Sequence, residues 1–324
     1  MGQQKMTDEE YEFMLEDRIA KIQAINEQYD LLNNSYIAFS GGKDSCVLSK
    51  LIDLALPGNN IPRVFANTGI EFNDMLKFVE RERERDGRII ILNQKKNIIK
   101  TLKEYGYPFK SKPFSHNYCI FQNLGEKSKT YNAMKDSTRF GIPKKLKYMF
   151  GNKDVMPFKI SEQCCYKLKK EISNKWKKDN KKTINITGLR QEEGGTRGNI
   201  NCVVFDKEKE LQKFHPLAPI TDEWEEEFVK QNNIELCKLY YEPYNFRRTG
   251  CKGCPYTKDM QEQLNTMFKL LPNEYYQCLH LWKPVYDEYI RIGFRLKYYP
   301  HERGVQMNLF DLEEEAQDGS NKYI

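Results

Sequence analysis

The sequence predicts an α/β fold with a Rossmann-like, doubly wound and mainly parallel sheet. Short apolar segments of strand length alternate with segments of helical periodicity between residues 35 and 92. A glycine-rich turn joins the first of these strands to the helix that follows it. Among the 324 residues there is no run of about 18 apolar residues, so we expect no transmembrane helix and no membrane partner.

The elements follow in order from the N-terminus. Residues 8–30 contain neither Gly nor Pro and have apolar residues at helical spacing, which predicts an N-terminal helix within residues 1–30. Ser35–Phe39 is an apolar segment of strand length. Asp222 followed by Glu225 matches a capping box and predicts a helix through Val229. The other predicted strands are Pro62–Ala66, Arg88–Leu92 and Thr183–Thr187, with a hairpin over 202–214, and the other predicted helices are 46–56, Asn73–Arg85, 166–178 and 258–292.

The alternation of strands and helices also predicts the domain organisation. We assign residues 31–257 to one α/β domain, because every predicted strand lies there. Residues 258–312 form a helical C-terminal region, and 313–324 form a flexible acidic tail. Residues 93–160 are rich in Lys, Tyr and Pro with weak periodicity, and we expect helices and loops there.

The charge of the chain is unevenly distributed. The total is 52 Lys and Arg against 46 Asp and Glu, a net charge of +6. The segment 95–183 holds 22 Lys and one Arg against seven acidic residues, a net charge of +16. Such a segment suits a polyanionic partner, a nucleic acid or a nucleotide, and a solvated Lys-rich surface is the alternative.

The turn Ser40-Gly41-Gly42-Lys43-Asp44-Ser45 carries the strongest chemical signal. Two glycines let backbone N–H groups approach a ligand, and the following helix N-terminus favours negative charge, so the turn suits phosphate. Lys43 and the two serine hydroxyls add donors, and Asp44 suits a hydrated Mg²⁺. The spacing fits neither a Walker A loop nor a dinucleotide fingerprint.

This turn resembles the PP-loop of the ATP pyrophosphatases, within the adenine nucleotide alpha hydrolase-like superfamily. Segment 67–72 (NTGIEF), Gly188-Leu189-Arg190 with Thr196-Arg197, and Pro216–Trp224 resemble the phosphoadenosine phosphosulfate (PAPS) reductase branch. Asn67 stands where that branch usually has Asp.

The resemblance implies an adenine nucleotide, ATP with Mg²⁺, bound at the carboxyl ends of the strands. It implies catalytic roles for Lys43, Asp44 and Arg190. The nucleotide-binding residues that it implies are Ser40, Gly41, Gly42, Lys43, Asp44, Ser45, Thr68, Gly69, Gly188, Arg190 and Arg197.

Four of the nine cysteines form a second pattern. Cys164 and Cys165 are adjacent, and Cys251 and Cys254 form a CxxC motif. A Cys-Cys pair combined with a CxxC motif resembles the ligand set of the [4Fe-4S] cluster in adenylyl-sulfate reductases. Four thiolates suit either such a cluster or a zinc ion, so thiolate chemistry alone leaves both open.

Two departures from the sulfonucleotide reductases decide the predicted function. Those enzymes lack the intact loop, which this chain keeps, and they use a nucleophilic Cys in a C-terminal E-C-G-L-H segment that this sequence does not contain. The nearest candidate, Cys278, lies in a segment that reads as an aromatic amphipathic helix. An intact loop with a four-Cys cluster resembles nucleic-acid sulfur-transfer enzymes.

We therefore expect an ATP-dependent transferase of sulfur metabolism that adenylylates an acceptor and releases pyrophosphate. One alternative is an adenylyl-sulfate or PAPS reductase that releases sulfite, and another is a nucleotide-responsive iron–sulfur regulator without turnover. Expected partners are a nucleic acid bound by segment 95–183 and a sulfur-donor protein. Nine cysteines without a secretion signal predict reduced thiols in the cytoplasm.

Overall fold

The computed structural model describes residues 6–136, 142–194 and 197–302. Thr196 and the acidic tail predicted for 313–324 lie outside these residues. The chain divides into two compact units. The first combines the residues up to Lys95 with Lys167–Gly250, and the second combines Lys96–Tyr166 with the segment from Cys251 onward.

The first unit is built on a six-stranded sheet with the order β3-β2-β1-β4-β6-β5. All neighbouring strands are parallel except β5, which pairs with β6 as the predicted hairpin. The α/β, mainly parallel fold predicted from the sequence is therefore confirmed. The strands are β1 Ser35–Phe39, β2 Arg63–Asn67, β3 Ile89–Asn93, β4 Ile184–Ile186, β5 Val203–Phe205 and β6 Leu211–Phe214.

Helices cover both faces of this sheet, as a doubly wound fold requires. On the face that holds Ile37, a core of buried side chains joins β1 to four helices of the unit, with Val47 and Phe228 among them. On the opposite face, the ring of Tyr36 packs 5.6 Å from that of Trp176. The helices of this unit are α1 Asp8–Tyr29, α2 Leu31–Asn34, α3 Lys43–Ala55, α4 Asn73–Arg85, α9 Glu171–Asp179 and α10 Asp222–Gln231.

Three helix starts differ from the prediction. Helix α3 begins at Lys43, inside the glycine-rich turn, because Gly42 has the extended backbone of an N-cap. Helix α4, in contrast, starts at Asn73 as predicted, and its N-cap Phe72 forms no side-chain hydrogen bond. A capping box starting at Asp222 is wrong: Thr221 caps α10 and accepts a hydrogen bond from the Trp224 N–H at 3.2 Å. The helix predicted over 166–178 starts with a π-helical turn, Tyr166–Lys170.

The second unit is helical, and its core is aromatic. The rings of Phe114, Tyr118 and Phe150 pack against one another with centroids 5.3 to 6.1 Å apart. The Tyr289 hydroxyl accepts a hydrogen bond from the Lys110 N–H at 2.7 Å, which ties the C-terminal helices to segment 96–166. The helices are α5 Ile98–Tyr105, α6 Lys112–Leu124, α7 Lys129–Asp136, α8 Gln163–Cys165, α11 Met260–Leu270 and α12 Pro272–Ile292.

None of the helices in the described part of the chain is both long and apolar enough to cross a membrane.

Candidate functional site

The glycine-rich turn lies at the carboxyl end of the central strand β1. It runs over Ser40, Gly41 and Gly42 and leads directly into α3 at Lys43. The N-cap Gly42 has no side chain that could form a cap hydrogen bond with the first amides of α3, and the Lys43 N–H donates to the Tyr240 hydroxyl at 3.2 Å. The Ser45 hydroxyl donates to the Gly42 carbonyl at 2.8 Å, which fixes the turn. The turn therefore presents a helix N-terminus suited to an anion, as the sequence predicts.

Gly41 is required by both conformation and space. Its φ is +72°, and an added Cβ would lie 2.5 Å from Met75 Sδ and 2.7 Å from Val79 Cγ2 on α4. Gly58 has the same φ of +72° but has nothing within 4 Å of an added Cβ. Comparing an alanine substitution at Gly41 with one at Gly58 therefore separates the free-energy cost of backbone strain from the cost of crowding.

We expect Gly41→Ala to destabilise the fold more than Gly58→Ala. An alanine in the left-handed backbone conformation costs roughly 1–2 kcal/mol of stability, and this cost applies to both variants. Crowding against Met75 and Val79 adds about 1–3 kcal/mol at Gly41 only. Urea unfolding of both variants measures the difference, and equal losses would show that α4 does not pack tightly against the turn.

Charged side chains from three elements meet beside the turn. The Lys43 ammonium lies 2.9 Å from Glu225 Oε2. The Arg190 guanidinium lies 2.8 Å from Asp44 Oδ1 and 3.2 Å from Glu225 Oε2. It also pairs with Asp222 at 2.6 Å. The structure thus brings together the three predicted catalytic residues, Lys43, Asp44 and Arg190.

Glu225 is the least solvated member of this group. Its side chain is fully buried, and neither carboxyl oxygen receives a hydrogen bond of good geometry, although Lys43 is within ion-pair distance. Burial raises the pKa of Glu225 to about 7, and the charge of Asp44 adds to the rise. Lys43 and Arg190 act in the opposite direction and lower this pKa. The carboxyl group is therefore poised to titrate near neutral pH.

Thr68 and Gly69 follow β2, next to the turn in the sheet order. The Thr68 N–H and hydroxyl donate to the two carboxyl oxygens of Glu71 at 2.9 and 2.8 Å. Gly69 has a φ of +80° and open space beside it, and its N–H donates to Asn67 Oδ1 at 3.0 Å. The Asn67 side chain thus shapes the loop after β2.

Gly188 and Arg197 belong to the loop after β4. An added Cβ at Gly188 would lie 2.8 Å from the Asp44 carbonyl oxygen, so this loop packs directly on the start of α3. Arg197 pairs with the buried carboxylate of Glu193, and so does Arg248. The predicted nucleotide residues of all three loops therefore lie at the carboxyl ends of adjacent parallel strands, β2, β1 and β4.

Sequence reasoning missed three residues of this site. Glu225 was read as part of a cap, although it lies between Trp224 and Phe228 on the apolar face of α10, and a lone acid on such a face is a signal. The Tyr240 hydroxyl accepts a hydrogen bond from the Lys43 N–H at 3.2 Å and lies 2.7 Å from the Thr249 hydroxyl. No local sequence pattern indicates that Tyr240 and Thr249 belong to the site.

The four predicted metal-binding cysteines all belong to the second unit. The Sγ atoms of Cys164 and Cys165 are 4.0 Å apart. The contact with Cys165, together with burial, raises the pKa of Cys164 far above its ordinary value. The charges of Cys254 and Cys251 raise it further. These mutual effects place the four thiols in one neighbourhood.

Helix α12 fixes the loop that carries Cys251 and Cys254. The Trp282 indole donates to the Lys252 carbonyl at 3.1 Å, and the Tyr286 hydroxyl donates to the Gly253 carbonyl at 2.5 Å. Gly253 has a φ of +61°, and an added Cβ would lie 2.5 Å from that hydroxyl. The loop therefore has the rigidity that preorganised ligands need.

The donor set of four thiols fits either a [4Fe-4S] cluster or a zinc ion. Within the described residues, no group of three or more His, Cys, Asp or Glu side chains converges as a metal-ion site does. A tetrahedral zinc ion draws four sulfur atoms to about 2.3 Å from one point. In a four-iron cluster each thiolate binds a different iron, so its ligands lie further apart.

The sequence model of the phosphoadenosine phosphosulfate reductase domain matches residues 34–257, about two thirds of the chain. The chain belongs to this family. Its adenosine 5'-phosphosulfate reductase relative from Mycobacterium bovis is 36% identical over 69 residues, which are 21% of this chain and 26% of that protein. An uncharacterized protein of Methanocaldococcus jannaschii is 29% identical over 135 residues, 39% of this chain and 32% of its own length. The matched segments thus span a third or less of these relatives.

Two solved structures share features of the fold at low identity. The PAPS reductase of Candida auris is 13% identical, with a TM-score of 0.42, and the match covers 78% of this chain and 98% of that one. A U34-tRNA thiolase of Methanococcus maripaludis, solved with its [4Fe-4S] cluster, is 15% identical with a TM-score of 0.38. That match covers 84% of this chain and 79% of the thiolase.

Proposed function

We propose that this PAPS reductase family member is an enzyme that cleaves ATP between the α and β phosphates, adenylylates an acceptor and prepares it for sulfur transfer. The observation that carries the proposal is the intact Ser40–Ser45 turn at the N-terminus of α3, with Lys43 and the Asp44–Arg190 pair beside it. Family membership alone leaves the reaction open, since the family name denotes a reductase domain.

The turn has the chemistry that holding pyrophosphate requires. Backbone amides at the start of α3 and the Lys43 ammonium would bind the β and γ phosphates. Asp44 is partly exposed and is oriented by Arg190, so its carboxylate would hold Mg²⁺ against the phosphates. Since Arg190 contacts carboxylates rather than open space, we assign it the role of positioning Asp44.

Cys164, Cys165, Cys251 and Cys254 would hold a [4Fe-4S] cluster in the second unit. When bound, such a cluster would either bind sulfur at one of its irons or serve a purely structural role. Helix α12 would keep two of its ligands in place through the carbonyls of Lys252 and Gly253.

The acceptor is proposed to be a nucleic acid. The net charge of +16 over 95–183 is the support for this, because lysines neutralise backbone phosphates. A sulfur-donor protein completes the proposed reaction.

The test is thionucleoside formation. Anaerobically purified protein is incubated with Mg-ATP, sulfide and either unmodified tRNA or duplex DNA, and the nucleosides are separated by mass. We expect a thiolated nucleoside whose formation requires ATP. A parallel incubation contains adenylyl sulfate instead of ATP. Sulfite release there, together with the absence of a thiolated nucleoside, would show that the protein is a reductase and not a sulfur transferase.

Reduction is the second candidate, supported by the 36% identity with adenosine 5'-phosphosulfate reductase over 69 residues. It requires a nucleophilic thiol, and Cys278 is the residue that sequence reasoning offers. Cys278 is buried in α12, and burial raises its pKa to about 12, which disfavours the thiolate. If Cys278→Ser leaves any sulfite release undiminished, Cys278 has no part in it.

A further inference from the structure

Glu225 occupies the position of an internal counter-ion in the proposed nucleotide site. It lies on α10, and its carboxylate is paired with the ammonium of Lys43, the residue that would hold the phosphates. The Glu225 side chain is fully buried, whereas that of Lys43 is 22% exposed. Lys43 can therefore turn toward a ligand, whereas Glu225 is fixed by the packing of Trp224 and Phe228.

A phosphate at the turn competes with Glu225 for the same ammonium. Once Lys43 contacts a phosphate, Glu225 loses its shortest ion pair and keeps Arg190, which it shares with Asp44 and Asp222. A buried carboxylate that loses a cation is costly, and a proton removes that cost.

We propose that nucleotide binding transfers Lys43 from Glu225 to the phosphates and that Glu225 takes up one proton from solvent as the ammonium leaves. The inference rests on the proposed nucleotide site and adds to it a proton-linked positioning role for Glu225. No bond other than the new carboxyl O–H forms, and the proton comes from water or buffer.

The groups around Glu225 favour this exchange. Helix α3 contributes Lys43, Asp44 and Cys46, of which Asp44 repels the Glu225 charge, and Cys46 stays neutral because burial raises its pKa. The loop after β4 contributes Arg190, and α10 itself contributes Asp222 one turn earlier.

The proposed exchange makes nucleotide affinity depend on pH. Without nucleotide, the pKa of Glu225 is already about 7, and loss of the Lys43 charge together with the arrival of phosphate raises it further. Between these two pKa values the complex holds one proton more than the free protein. Affinity for the nucleotide therefore falls as pH rises above about 7, by up to about tenfold per pH unit.

Calorimetry of α,β-methylene ATP binding tests the inference, because this analogue resists cleavage between the α and β phosphates. Titrations near pH 7.5 in buffers of different ionisation enthalpy give the number of protons taken up. We expect the wild type to take up roughly 0.7 proton more than Glu225→Gln. Glu226→Gln, an exposed neighbour on α10, is the matched control and should behave like the wild type.

The comparison with Glu225→Gln removes the titration of the analogue itself, which is common to all three proteins. Equal proton uptake by wild type and Glu225→Gln would overturn the role of Glu225 while leaving nucleotide binding intact. No binding by any of the three would overturn the nucleotide site as well. If Glu225→Gln does not fold, the pH dependence of wild-type affinity is corrected for the separately measured titration of the analogue, and a flat corrected profile above pH 7 contradicts the exchange.

Discussion

Lys43→Ala is expected to lower the rate of pyrophosphate release from ATP by at least about 100-fold. Lys43 is the side-chain cation in the first turn of α3, where charge would develop on the leaving pyrophosphate in the proposed reaction. Its loss removes a preorganised charge that Arg190 does not replace, because Arg190 already pairs with Asp44 and Asp222. Single-turnover pyrophosphate release measures the effect.

Lys50→Ala, on the same helix α3, is the matched control and should retain wild-type release. The thermal unfolding midpoints of both variants are first compared with that of the wild type. Equal midpoints ensure that destabilisation by loss of the Lys43–Glu225 pair is not mistaken for a catalytic effect. Pyrophosphate release by Lys43→Ala within a factor of three of the wild type would remove Lys43 from the catalytic group.

Cys254→Ser is expected to abolish cluster binding. A serine hydroxyl is a poor ligand for iron compared with a thiolate, so one iron would lose its protein ligand and the cluster would be held less firmly. Iron and acid-labile sulfide should fall from about four each per chain to below about one, with loss of the visible absorption of the cluster. Anaerobic metal and sulfide analysis measures this.

The control is Cys119→Ser, which changes a partly exposed thiol on α6 in the same unit. It should keep the full iron and sulfide content. Equal iron content in Cys254→Ser and the wild type would show that the CxxC motif is not a ligand pair. One zinc per chain in the wild type, lost in Cys254→Ser, would assign these cysteines to a zinc site instead.

Periodic patterns made the first unit predictable. Segments such as SYIAF are buried on both faces of a parallel sheet, so they appear as continuous apolar runs, and β1 was predicted to the residue. The turn was predictable because two glycines between a strand and a helix are a recognisable sequence pattern, and in the structure Gly41 lies against Met75 and Val79.

The structure of the second unit and the contact between Glu225 and Lys43 could not be predicted in the same detail. Helices α5 and α6 lie in a Lys- and Tyr-rich segment whose core is made of scattered rings, such as Phe114 and Tyr118, rather than a regular stripe. Glu225 meets Lys43 across 182 positions of the chain, so only the fold brings them together. The Cys-Cys and CxxC motifs were recognisable at long range because cysteine pairs are rare.

The cleavage position in ATP tests the central claim most directly. Anaerobically purified protein with measured iron and sulfide is incubated with Mg²⁺ and ATP labelled at the α-phosphorus, with tRNA or DNA present. We expect label in AMP or in an adenylylated acceptor, together with unlabelled pyrophosphate. Label in ADP, or no cleavage by cluster-loaded protein, would contradict an ATP pyrophosphatase.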